Sequence, residues 1–308
     1  MLRCREAGYD IAPVSRASAD QKKEMLKSEA AGERDVGRGF RASHFERLHQ
    51  RSPPSSTSDR VERAAGLAAH NLMLRGGEVG VPDTTEAPPE PNRIITWTSF
   101  DWKAPSVDSG FRPWCFARIV PIKNPSGRAK AHPIPLSRGH DGTFGSCGTC
   151  AYDAIAAAWW TRRGPLGTPF PLDERGRPAD GWWRTPPRSG APPTDSAFFA
   201  HAGGEPFTTS HVLDMVQRWA VIIDEDPKSF KARAPRVGGA TDFRDALAGN
   251  DESSMRTIKD RGRWCSNIAA IYARPLLSVQ LHASAVVGSS RAAGIEDAVP
   301  GFAQPARR

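Results

Sequence analysis

The stretch that decides the fold is residues 115–136, CFARIVPI–KNPSGRAK–AHPIPL. Its outer thirds are runs of β-type residues. Its middle, 123–130, carries Asn, Pro, Ser and Gly, which set the backbone angles of turns. This spells a β-hairpin with a basic tip, bearing Lys123 and Lys130. A third β-type run, RIITWTS at 93–99, precedes it.

The surroundings read as helix. Upstream, a helix is expected from Asp59 as N-cap to Leu74, with Val61, Ala64, Ala65, Ala68 and Leu72 on one stripe. Downstream, a helix is expected at about 151–162, AYDAIAAAWWTR. A helix capped near Thr208–Ser210 puts Val212, Met215, Val216, Trp219, Ala220 and Ile223 at core-facing spacing. Further helices are expected at 239–249, 253–261, 266–273 and 276–287. The fold class is therefore α+β, mainly helical, with one small antiparallel sheet. Residues 82–92 and 164–195 read as Pro- and Gly-containing loops and hold 12 of the 27 Pro. Residues 1–58 are polar and irregular, with one helix expected at 19–31. The ordered unit is expected over 59–287, with a disordered tail at 288–308.

Composition narrows the classes. The chain has 308 residues, 42 Lys plus Arg against 34 Asp plus Glu, and a net charge of +8. That surplus suits a polyanionic partner. No apolar run is long enough to span a membrane, and MLRCREAGYD has no apolar leader. Five scattered cysteines, at 4, 115, 147, 150 and 265, fit a reducing compartment better than a disulfide scaffold. An intracellular protein is expected, nuclear if its source is eukaryotic. Cys147-x-x-Cys150 with His140 nearby lacks a fourth zinc ligand, so it reads as small residues ahead of a helix.

Chemistry resides in an ordered set of basic residues and one tyrosine. Arg75-Gly-Gly-Glu78 follows the 59–74 helix. Lys123 sits on the hairpin. Arg233-Ala-Pro-Arg236-Val-Gly-Gly opens the next helical region. Gly262-Arg263-Trp264 precedes Tyr272, one of only three tyrosines.

In this order the motifs resemble those of the tyrosine recombinase, or phage integrase, family. Leu74–Glu78 is similar to its Gly-Leu-Arg-x-x-Glu motif. Arg233–Thr241 is similar to His-x-x-Arg-x-Gly-Gly, and Gly262-Arg263 to the Leu-Gly-His/Trp motif with its downstream tyrosine. The likeness covers roughly 60–285. The long loops and the Gly-Arg-Trp ending look more like recombinases of eukaryotic mobile elements than compact bacterial integrases.

The resemblance implies roles. Arg75 and Arg236 would hold the non-bridging oxygens of one phosphate, with Arg263 beside them, and stabilise the charge of the pentavalent transition state. Tyr272 would attack phosphorus and form a 3′-phosphotyrosyl link. Lys123, or Lys130 on the same hairpin, would protonate the leaving 5′ oxygen. Arg233 replaces the family's histidine. An arginine keeps its proton at neutral pH, so it contributes charge and not proton acceptance. The resemblance implies no cofactor or metal, double-stranded DNA as partner, and a homo-tetramer on paired sites. Residues 1–58 would then be the remnant of the family's separate helical domain. The alternative is a DNA-binding remnant of such an enzyme that no longer cleaves.

Overall fold

A computed structural model describes residues 38–83, 94–119, 132–247, 257, 260–262 and 284–285. In chain order the described elements are α1 (Ala42–Arg51), α2 (Thr57–Asn71), α3 (Gly76–Val79), β1 (Phe100–Lys103), β2 (Trp114–Ile119), β3 (His132–Ser137), α4 (Ala151–Arg163), α5 (Thr209–Ile222) and α6 (Ala234–Ala246). The strands form an antiparallel sheet in the order β1-β2-β3. The class is α+β, as the hairpin and its helical flanks imply.

Helix α2 is the axis of the fold. Ser56 caps it by accepting the Asp59 amide, and the Asp59 carboxylate accepts the Ser56 amide in return. Asp59 is thus the third residue of the helix and not its cap, because the hydroxyl three residues upstream reaches the free N–H groups first. Residues 61–71 are buried on every side, beyond the single stripe read from the sequence. Small residues make this possible: Ala64, Ala65, Gly66, Ala68 and Ala69 let neighbouring helices approach closely. Helix α4 packs on one flank of α2 and α6 on another.

The hairpin forms as its pattern requires. Cys115, Ala117 and Ile119 face the core, while Arg118 between them is exposed. Pro133 and Pro135 oppose Arg118 and Phe116 across the pair. A proline cannot donate to a ladder, so these two alternate positions point their backbone away from β2, which makes β3 an edge strand. The strand expected at 93–99 lies later. Residues 97–99 form a single 3-10 turn, closed by Thr96 and Ser99, and β1 starts at Phe100. Trp97 is buried against Phe198 by that turn, a tertiary contact that overrides the β propensity of the run.

Helix α5 matches the spacing, with Thr208 accepting the His211 amide as cap. Helix α6 begins five residues before the expected 239, so Arg236, Gly238 and Gly239 lie inside it. Pro235 suits the first turn, where its missing N–H has no partner to lose. Helix α1, ahead of residue 58, shares the same core: Phe45 packs on Trp219, Leu48 is buried in the same cluster, and Phe40, just before the helix, meets Trp219 and Phe230. Trp182, in the Gly/Pro-rich 164–195 region, is buried against Trp102 and Trp159. No helix among the described residues is long and apolar enough to cross a membrane.

Candidate active site

The site is built at the C-terminal end of α2. There Met73 holds a left-handed backbone with φ +49. This ends the helix and turns the chain toward Arg75. A buried methionine in that conformation is uncommon and costs energy that the surrounding packing must offset.

Arg75 is the N-cap of the short helix α3. Its backbone N–H donates to Glu78 Oε2 at 2.6 Å. Its guanidinium Nη1 lies 3.5 Å from Glu78 Oε1, and the Glu78 side chain is almost fully buried. The glutamate of the Arg-x-x-Glu motif therefore fixes the arginine at both ends. About a quarter of the Arg75 side chain stays open to solvent.

Arg236 ties three segments together. Its Nη1 donates to the carbonyl of Met73 at 2.7 Å, two residues before Arg75. Its Nη2 donates to the carbonyl of Gly262 at 2.9 Å, one residue before Arg263. Arg233 is the exposed N-cap residue of the same helix. Lys123, its alternative Lys130, Arg263 and Tyr272 lie outside the described residues.

The two glycines of the Arg236 motif have a packing cause. A Cβ on Gly239 would stand 2.7 Å from the His70 carbonyl carbon, and nearer still to its oxygen. One on Gly238 would press equally hard on the Phe40 carbonyl. Only glycine lets α6 seat against α2 this closely. The contact is locked by Asp242. Its Oδ2 lies 2.7 Å from His70 Nε2 and accepts the Ala42 amide at 2.7 Å, while Oδ1 pairs with Arg41. Burial alone would raise the Asp242 pKa. The His70 hydrogen bond and charge, the Ala42 amide and the Arg41 charge outweigh it and hold the carboxyl below its usual value.

A residue that the sequence reading passes over, Arg261, completes the frame. It is almost fully buried. Nε and Nη2 donate to the Asn71 carbonyl at 2.7 Å and its Oδ1 at 2.8 Å. Nη1 donates to the Pro135 carbonyl at 2.9 Å, on the open edge of β3. The ring of Phe243 lies 4.5 Å from its guanidinium. Arg261 thereby pins the 260–262 segment between the end of α2, helix α6 and the hairpin that leads to Lys123. In sequence it is one more arginine in Asp-Arg-Gly-Arg. Its only signal is its place two residues before Arg263.

The Cys147–Cys150 region resolves into an ion-pair hub. Donor atoms of His140, Cys150 and Asp153 lie within 4.8 Å of one another. The Asp153 oxygens are taken by Arg138 Nε and Nη2 at 2.8 and 3.1 Å, by His140 Nε2 at 3.0 Å and by the Gly145 amide at 3.0 Å. Burial, then the Asp153 charge, push the Cys150 thiol well above its usual pKa. The group fastens the 138–145 loop to α4.

Protein-family models, curated proteins and solved structures were compared with the chain, and none matches.

Proposed function

We propose that the chain is a tyrosine recombinase that breaks and rejoins double-stranded DNA through a 3′-phosphotyrosyl intermediate. One observation carries the reading. The Arg236 guanidinium joins the segment that ends in Arg75 to the segment that leads into Arg263 and Tyr272. The two carbonyls it holds stand two residues before Arg75 and one residue before Arg263, which supports the reading.

The chemistry follows from the residue types. A phosphodiester carries one negative charge, and its pentavalent transition state carries more. Guanidiniums fixed in advance bind that developing charge without reorganising. Arg75, Arg236 and Arg263 take this role. The phenol of Tyr272, ordinarily of pKa near 10, attacks phosphorus with its acidity raised by the surrounding cations. Lys123 gives its proton to the departing 5′ oxygen. Rejoining runs these steps backward on a second strand. Assembly as a tetramer on paired sites belongs to the same reading.

A nicked duplex library, in which the strand 3′ of the scissile phosphate dissociates after cleavage, tests this. Wild type should give an SDS-stable, protease-sensitive protein–DNA adduct that Tyr272→Phe abolishes. A second reading is favoured by Arg233, an exposed guanidinium where a proton acceptor would serve: DNA binding without cleavage. Salt-sensitive binding with no adduct under any condition would select it.

A further inference from the structure

A cavity of about 560 Å³ opens at the other end of α2, between the α1–α2 connection, helix α4 and the loops at 144–148 and 165–170. Arg63 reaches it about ten residues, or ~15 Å of helix, before Met73. The volume falls in the range of small-molecule sites. One wall is aromatic. Phe144 and Phe170 stack at 4.0 Å with their planes 14° apart, and Trp160 meets Phe170 edge-on.

The lining also carries a buried cation. Arg63 is 7% exposed and lines the cavity. Its Nη2 donates to the Ser52 carbonyl at 2.9 Å, and its guanidinium lies 5.4 Å from the Trp219 ring. Its Nη1 is buried and has no hydrogen-bond partner. A buried donor left unmet costs on the order of 1–3 kcal/mol, more when charged. The acids near Arg63 are engaged elsewhere: Glu62 with Arg218, and Asp59 with Ser55 and Ser56. Burial pushes the Arg63 pKa down to about 10, so the group is still cationic at neutral pH. Arg60 and Arg188 add two cations to the lining. Asp153 also reaches it, but its oxygens already serve Arg138, His140 and Gly145.

We propose that this cavity is a binding site for a flat organic anion, whose ring system lies against Phe144, Phe170 and Trp160 and whose carboxylate or phosphate is held by the cationic lining of Arg63, Arg60 and Arg188. The site is separate from the Arg75–Arg236 corner and does not depend on the DNA reading.

Calorimetric titration of the full chain tests it with two matched pairs: 2-naphthoate against 2-naphthamide, and AMP against adenosine. At least one anion should bind tenfold or more tightly than its neutral partner, and the pair that does so tells carboxylate from phosphate. Arg63→Met keeps the aliphatic stem and removes the fork, so it should erase that preference. Ala157→Trp, which fills the cavity from α4, should abolish binding of both members while the circular dichroism spectrum stays that of wild type. Absence of binding by every probe at millimolar concentration overturns the proposal. So does a preference unchanged in a folded Arg63→Met variant.

Discussion

Gly239→Ala separates two opposed physical effects. Helix propensity alone favours alanine inside α6 by up to about 1 kcal/mol. The packing says the opposite. The new Cβ would stand 2.7 Å from the His70 carbonyl carbon, where ordinary contact begins at 3.4 Å, and nearer still to the oxygen. Helix α6 must then retreat from α2 by roughly 1 Å, since close-packed interiors have no slack to absorb the clash. The His70–Asp242 contact, 2.7 Å long and one turn away, would stretch beyond hydrogen-bond range. A hydrogen bond to a charged group contributes about 1.5–3 kcal/mol, and overpacking adds about 1–3 kcal/mol. After the propensity gain, the net loss is about 2 kcal/mol or more. In thermal unfolding this is a fall of on the order of 5 °C. Because Arg236 rides on the same helix, DNA cleavage should fall as well. A Gly239→Ala protein that melts at or above wild type would refute the close seating of α6.

Three other outcomes are expected. Asp242→Asn should cost about 3 kcal/mol at pH 7, as loss of a buried ion-pair partner does. The Asp242 carboxyl titrates below its usual value, so its stabilisation is whole above pH ~4 and fades as pH drops through the depressed pKa. Urea unfolding should show the wild-type advantage shrinking below pH 4, and an advantage constant down to pH 3 would contradict this. Arg261→Met strands the carbonyls of Asn71 and Pro135 and should lower stability by about 3 kcal/mol in the same assay. A loss under 1 kcal/mol would mean that the arginine does not hold the frame. In a Cys4→Ser, Cys265→Ser background, half-buried Cys147 should react first with a thiol reagent at pH 8. Buried Cys115 and Cys150, both with raised pKa, should react only on unfolding.

Legibility in the sequence tracked how local the cause was. Helices α4 and α5 follow from apolar spacing and a Thr208 cap, and both stand within two residues of expectation. The hairpin follows from turn residues between β-type runs. Trp97 could not be foreseen, because its partner Phe198 is about a hundred residues away and pulls it into a turn. The start of α6 was hidden by the Gly238–Gly239 pair, which reads as a break in sequence and is a close approach of two helices in space. Motif order singles out Arg75 and Arg236 as candidates. It passes over Arg261, since nothing local distinguishes a buried arginine with three carbonyl-type partners from a solvated one. Arg63 was missed for the same reason: the missing partner of its Nη1 is a property of the packed core, not of the helix it sits on.

The central claim is that the Tyr272 phenol becomes covalently joined to DNA beside the Arg75–Arg236 corner. Mass spectrometry of the trapped adduct, after nuclease and protease digestion, reads this directly. The account predicts a nucleotide 3′-phosphate on the peptide that contains Tyr272. A nucleotide on any other residue, or an adduct of equal yield from Tyr272→Phe, would contradict it.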